Sequence, residues 1–151
     1  MMQMIKKTLL LISIAFISFA CESDIDIDEN QVPSVVVNAF KVDFLNTTDR
    51  EWEQTGDFFI VEFKKENIDY TAKLNSKGEI LMYKYEINKK QLPEAVKKSI
   101  SLTHPDAEID DVEVLFINSQ EYYQIEIEKS FKDLKKVLDL KGQVTDIAYW
   151  D

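Results

Sequence analysis

The chain is poor in residues that carry out covalent or metal chemistry. Its 151 residues hold one histidine, His104, and one cysteine, Cys21. Zinc needs several thiolate or imidazole ligands around one point, and a single His with a single Cys cannot supply them. Ser–His–Asp catalysis would have to run through His104, and no Gly-x-Ser-x-Gly turn presents a serine to it. His104 stands just before Pro105 at the end of a helical stretch, where its ring is expected to cover the core. With only three glycines, no phosphate-cradling loop can be built. Asp24, Asp26 and Asp28 alternate like the first half of a calcium loop, but the Gly and Glu that complete such a loop are missing. Carboxylates are abundant, yet nothing sets a pair of them across a cleft as glycoside hydrolysis requires. No catalytic residue, metal ligand or cofactor is therefore assigned.

Cys21 has a different chemistry in prospect. Lys6 and Lys7 precede an apolar run from Leu9 to Ala20, which is short for a membrane span and suited to a secretory signal. Small Ala20 directly before a lone Cys reads as a bacterial lipoprotein site, with the Cys21 thiol lipidated and its amine the new N-terminus. A plain signal peptide with an incidental Cys, or a stop-transfer anchor, is the other reading. Residues 1–20 are thus expected to be a signal peptide, and residues 21–31 a lipidated Cys with an acidic tether. Without Lys6 and Lys7 the formal charge is −12, which argues against nucleic acid and leaves the lipid anchor as the only membrane contact. The charge serves solubility, or it steers a basic partner.

The elements that would position any site repeat along the chain. Leu74-Asn-Ser-Lys-Gly78-Glu-Ile80 returns as Leu138-Asp-Leu-Lys-Gly142-Gln-Val144. In both, Asn or Asp three residues before Gly writes a hairpin turn whose Gly adopts a left-handed conformation. Val32-Pro33-Ser34 and Leu92-Pro93-Glu94 each open a helix, with apolar stripes at Val36, Val37, Phe40 and Phe44, and at Val96 and Ile100. Four strands are expected after each helix. They fall near 50–55, 58–65, 69–74 and 79–87 in the first copy, and near 111–118, 121–128, 134–139 and 144–150 in the second. The fold expected is α+β. Two repeats, 32–90 and 91–151, each place a helix on a four-stranded antiparallel sheet, and the sheets join into one curved layer with helices on one face and the other face exposed.

Alternation assigns Phe59, Val61, Phe63, Tyr70, Ala72, Leu74, Ile80, Met82, Tyr123, Ile125, Ile127 and Leu138 to the helix side. The opposite side mixes aromatic and charged residues. Tyr83, Tyr85, Tyr122, Ile147 and Tyr149 on that side are the expected protein-binding surface, because tyrosine offers stiff amphipathic contact area. Ordinary strand propensity accounts for the same tyrosines equally well.

Val32-Pro33, Asp49-Arg-Glu-Trp52, Leu74-Asn-Ser-Lys-Gly78, Leu92-Pro93, His104-Pro105-Asp-Ala107 and Leu138-Asp-Leu-Lys-Gly142, in this order and repetition, resemble the beta-lactamase-inhibitor-like, PepSY-like domain of secreted Bacteroidetes proteins. The resemblance spans Val32 to Asp151. It implies tandem helix-plus-four-strand units whose sheet grips another protein, with an envelope peptidase as one class of partner. Separately, the acidic residues of Glu22–Glu29 just after Cys21 resemble the export signal of lipoproteins in such bacteria, which implies the outer membrane or the cell surface. The expected function is a non-enzymatic, lipid-anchored binding module. The alternative is an envelope protein that senses a ligand or glycan at the repeat junction.

Overall fold

The computed structural model describes residues 24–106, 108–129 and 132–151. The expected signal peptide and Cys21 lie outside them. Strands β1 (Ile25–Ile27), β2 (Thr48–Thr55), β3 (Phe58–Lys65), β4 (Ile68–Asn75), β5 (Ile80–Glu86), β6 (Glu108–Ile117), β7 (Gln120–Glu128) and β8 (Leu134–Asp139) form one antiparallel sheet in sequence order. Helix α1 (Ser34–Asp43) follows β1, and helix α2 (Glu94–Thr103) follows β5. The fold is α+β, and no described helix is long and apolar enough to cross a membrane.

Each helix covers its own stretch of sheet. Val36, Val37, Phe40 and Phe44 bury against Trp52, Phe59, Val61, Phe63, Ala72 and Leu74. Val96 and Ile100 bury against Val112, Val114, Tyr123, Ile125, Ile127 and Leu138. The pairings Ala72–Tyr83, Tyr83–Phe116 and Val114–Tyr123 run unbroken from one cluster to the other, so both helices lie on the same face. Pro33 and Pro93 stand one position ahead of the helices, and their carbonyls accept the first helical bonds.

The two glycine turns are built alike. Asn75 Oδ1 accepts from the amides of Lys77 and Glu79, each at 3.0 Å; Asp139 Oδ1 accepts from Lys141 and Gln143, at 2.9 and 2.8 Å. Gly78 and Gly142 have φ of +85° and +77°. Both turns also tuck beneath a helix. A Cβ on Gly78 would stand 2.9 Å from Ala39 Cβ and from the Val35 carbonyl, and one on Gly142 would strike the Ala95 carbonyl. These helix positions correspond at the offset that aligns Pro33 with Pro93.

Three expectations are corrected. The sheet begins inside the supposed tether, because Ile25–Ile27 pairs with Trp52–Gln54 and Ile27 packs on the first core cluster. The alternation Ile-Asp-Ile outweighs the local acid repulsion once β2 offers an open edge. Val144–Trp150 is not a strand: after the single bridge Leu138–Val144, the chain leaves the edge and crosses the sheet as a strap. The strap covers part of the face opposite the helices, so that face is not wholly exposed.

Replacing Gly142 or Gly78 with Ala is expected to cost about 2 kcal/mol or more, since backbone strain and a clash with the helix act together. Urea unfolding of each single variant measures it. A loss below about 0.5 kcal/mol would show that the turn and helix can separate freely.

Candidate functional site

The site residues expected from sequence divide between two faces. Register explains the division. Leu74 pairs with Ile80, but Lys73 pairs with Met82, so Leu81 is an extra residue in β5. Such a bulge reverses every side chain beyond it. Tyr83 and Tyr85 therefore lie on the helix side, opposite Ala72 and Tyr70, and their placement on the free face is corrected. Met82, expected in the core, moves to the outer face with Lys84. Tyr122 is on the outer face, beside Leu115. Ile147 and Tyr149 belong to the strap.

On the helix side, Tyr83 and Tyr85 complete a closed circuit of aromatic rings. Centroid separations run Phe44–Tyr83 5.4 Å, Tyr83–Phe116 4.7 Å, Phe116–Tyr85 6.4 Å, Tyr85–Tyr70 4.8 Å, Tyr70–Phe63 5.3 Å and Phe63–Phe44 4.9 Å. Each pair lies in the range where offset or edge contacts are favourable. Tyr83 packs on the first cluster and Tyr85 on the second, so the circuit joins the two. A cavity of about 390 Å³ opens beside it, lined by Asp43, Phe44, Met82, Tyr83, Phe116 and Asn118 among others. Burial pushes the hydroxyls of Tyr70, Tyr83 and Tyr85 above the ordinary tyrosine range. Tyr123 moves the same way, by burial and then by its hydrogen bond to Glu121.

The outer face has two regions. Over β5–β8 the strap holds to the sheet through polar contacts. Lys84 Nζ donates to the Trp150 carbonyl at 2.9 Å, and Gln124 Nε2 donates to the same oxygen at 3.0 Å. The Trp150 amide donates back to Gln124 Oε1 at 2.7 Å. Lys84 also lies 5.4 Å from the centroid of the Trp150 ring, and Lys135 lies 4.8 Å from that of Tyr149. Lys135 pairs with Asp151. Beneath the strap, Lys84 and Glu113 form an ion pair at 3.0 Å, and Gln124 donates to Glu113 at 2.7 Å. Gln124 and Leu115 are 0 % exposed, Val137 2 %, Glu113 8 % and Lys84 9 %. These residues point away from the helices, so only the strap and their own neighbours can cover them.

Over β2–β5 the outer face carries no such cover among the described residues. Register sets Glu53, Ile60, Lys73, Met82 and Ile117 side by side in one row across the strands. Ile60, Met82 and Ile117 are half-buried. The strap's hydrogen bonds fall elsewhere, on Lys84, Gln124, Lys135 and Val137. Toward β1 the face turns acidic. Burial, then the carboxylates of Asp24, Glu62, Asp26 and Glu51, hold the Glu53 carboxyl above its usual range.

His104 caps the end of α2, its amide donating to the Ile100 carbonyl at 2.7 Å. Among the described residues no group of three His, Cys, Asp or Glu side chains could hold a metal ion.

Sequence reasoning missed Lys84, Glu113 and Gln124 as a set, because the strap that unites them is irregular chain. The signal that could have found them is Lys84 between two tyrosines. Alternation with Tyr in and Lys out fits β5 better than the reverse.

Solved structures share this architecture. A BLIP-like protein from Bacteroides fragilis NCTC 9343 superposes with a TM-score of 0.67 at 19% identity, over 78% of this chain and 92% of its own. A DUF2874 family protein from Bacteroides uniformis ATCC 8492 gives a TM-score of 0.69 at 13% identity, over 74% of this chain and 85% of its own. A protein from Bacteroides eggerthii DSM 20697, whose name assigns it provisionally to the periplasm, gives 0.70 at 18% identity, over 75% and 85%. No family model and no curated protein matches the sequence. The likeness is one of fold.

Two predictions follow from these geometries. Lys84→Ala or Glu113→Ala should each cost about 3 kcal/mol, because the survivor is left charged and buried; Lys84→Met with Glu113→Leu should be close to neutral. Urea unfolding of the singles and the double checks it, and equal losses in all three would refute the pairing. In alkali the folded chain keeps tyrosine protons that the unfolded chain releases near pH 10, so unfolded tyrosines bind fewer protons than folded ones. Stability should therefore be level through neutral pH and fall as pH rises past 10, with tyrosinate absorbance appearing together with unfolding. Tyrosinate rising well before any loss of structure would contradict it.

Proposed function

We propose that the protein is a non-enzymatic cell-envelope binding module that engages another protein through the uncovered outer face of β2–β5. The carrying observation is the row Ile60–Lys73–Met82–Ile117, apolar and charged side chains held level on paired strands with none of the described elements above them. An interface core needs apolar contact area, and its rim needs charge to set register with a partner. Tyr122 adds an aromatic side chain on the same face, two residues from Gln120, which pairs with Ile117; Tyr149 lies over Lys135 in the strapped half. The acidic end near Glu53 favours a partner with a basic patch.

The likeness in fold to a BLIP-like protein supports a binding rather than a catalytic role. An envelope enzyme, such as a peptidase, is the class of partner we favour. The matching glycine turns and helix positions support an origin by duplication, with 32–90 and 91–151 as the copies. The apolar run 9–20 and Cys21 support export and lipid anchoring, at the outer membrane or the cell surface.

A second reading has an observation of its own. The cavity beside Tyr83 and Phe116 offers a stacked aromatic platform with Asp43 and Asn118 at its rim, a chemistry suited to a glycan or other small ligand at the junction of the halves. Tyr83 would then act there and not in protein binding.

Photo-crosslinking separates the two. A photoreactive residue at Ile60 or Met82 should capture a defined protein partner in the intact envelope, and one at Val42, 74 % exposed on α1, should not. Equal capture from Val42 would overturn the outer-face reading. Glycan binding that is lost on Tyr83→Phe, with Ile60 variants unaffected, would favour the cavity.

A further inference from the structure

The strap sits on a receptor that the sheet builds without it. Gln124 is wholly buried, and its side-chain amide meets both backbone groups of one residue, giving an N–H to the Trp150 carbonyl and taking the Trp150 amide. That is the bonding a neighbouring strand would give to an extended chain. Lys84 adds a second donor to the same carbonyl, and a cation against the indole ring. Lys135 adds a cation against the Tyr149 ring and a partner for the Asp151 carboxylate. Together they recognise an extended backbone, two aromatic rings and a following acid.

Two features mark the occupant as exchangeable. First, its backbone ladder to the sheet is short: beyond the bridge at Val144 it is the one bond from the Thr145 amide to the Val137 carbonyl, at 2.9 Å. Segments held by few backbone bonds open without global unfolding. Second, the receptor keeps its charges paired when empty. Lys84 keeps Glu113 at 3.0 Å, and Gln124 keeps Glu113 at 2.7 Å, so departure of the strap strands no charge.

We propose that the outer face of β5–β8 is a receptor for an extended protein segment bearing paired aromatic residues followed by an acid, and that the chain's own Tyr149–Asp151 occupies it in cis until such a segment displaces it. Displacement would extend the uncovered face from β2–β5 across to β8. The biological partner rests on the protein-binding reading above; the receptor does not.

The test has two arms. In the unaltered chain, hydrogen exchange read by NMR should show the Trp150 amide exchanging about 100-fold faster than the slowest amides of β6 and β7, yet slower than in a free peptide. Exchange as slow as the sheet's would make the strap a fixed wall and overturn the proposal. In the second arm, a fluorescent heptapeptide of residues 145–151 is titrated into the full chain and into its Tyr149→Ala, Trp150→Ala variant. Removing the tethered competitor should tighten peptide binding by about 10-fold or more, and a peptide with both rings replaced by Ala should not compete. Equal binding to both chains, or none to the folded variant, would overturn it; if the variant fails to fold, the exchange arm decides. Neither arm uses a cellular partner, so failure here leaves the crosslinking result standing, and failed crosslinking leaves the receptor intact.

Discussion

One extra residue in β5 governs the molecule. Because Leu81 has no partner in β4, the side chains beyond it exchange faces. Tyr83 and Tyr85 turn inward, and Met82 and Lys84 turn outward. Without that exchange the two helix-covered clusters would meet at a lysine. With it they meet at a ring of six aromatic side chains, and the sheet carries one continuous core on its helix side. A strand bulge costs one ladder bond locally, of the order of 1 kcal/mol, whereas burying an unpaired lysine in the seam would cost several.

The same exchange creates the polar centre of the other face. Lys84 reaches Glu113 and, through the strap, the Trp150 carbonyl. The fold is thus two-sided in an unequal way. One side is apolar and closed by helices. The other is divided between a polar, strapped half and an open half with a mixed row of apolar and charged residues. Proteins from three Bacteroides species share the architecture at identities of 13–19%, so the arrangement of helices on sheet tolerates nearly complete change of sequence. In this chain the arrangement rests on the apolar positions of the two clusters and the left-handed glycine turns beneath the helices.

Much of this was legible from residue order. The helices show in apolar residues four apart, such as Val36, Phe40 and Phe44, and the paired Pro33 and Pro93 mark their starts. The turns show in Gly78 and Gly142, since few other residues accept that backbone. Strands β3, β4 and β7 follow their alternation closely. The faces of β5 were not legible, because a bulge is decided by pairing across strands, and Leu81 resembles any strand residue. The strap was misread for the opposite reason. Val144 to Trp150 has the composition of a strand, but its backbone finds partners in side chains such as Gln124. Strand β1 was hidden by its acids, whose repulsion is local, while the open edge of β2 that it pairs with lies far along the chain.

That first strand has a mechanical meaning. Any tension on the chain ahead of Asp24 is delivered to β1, which is held by three paired residues and the half-buried Ile27. Peeling it would bare the edge of β2 at Trp52 while the longer pairings from β2 to β8 stay whole. The leading edge is thus the shortest pairing in the sheet, and the first that a pull from that side would load.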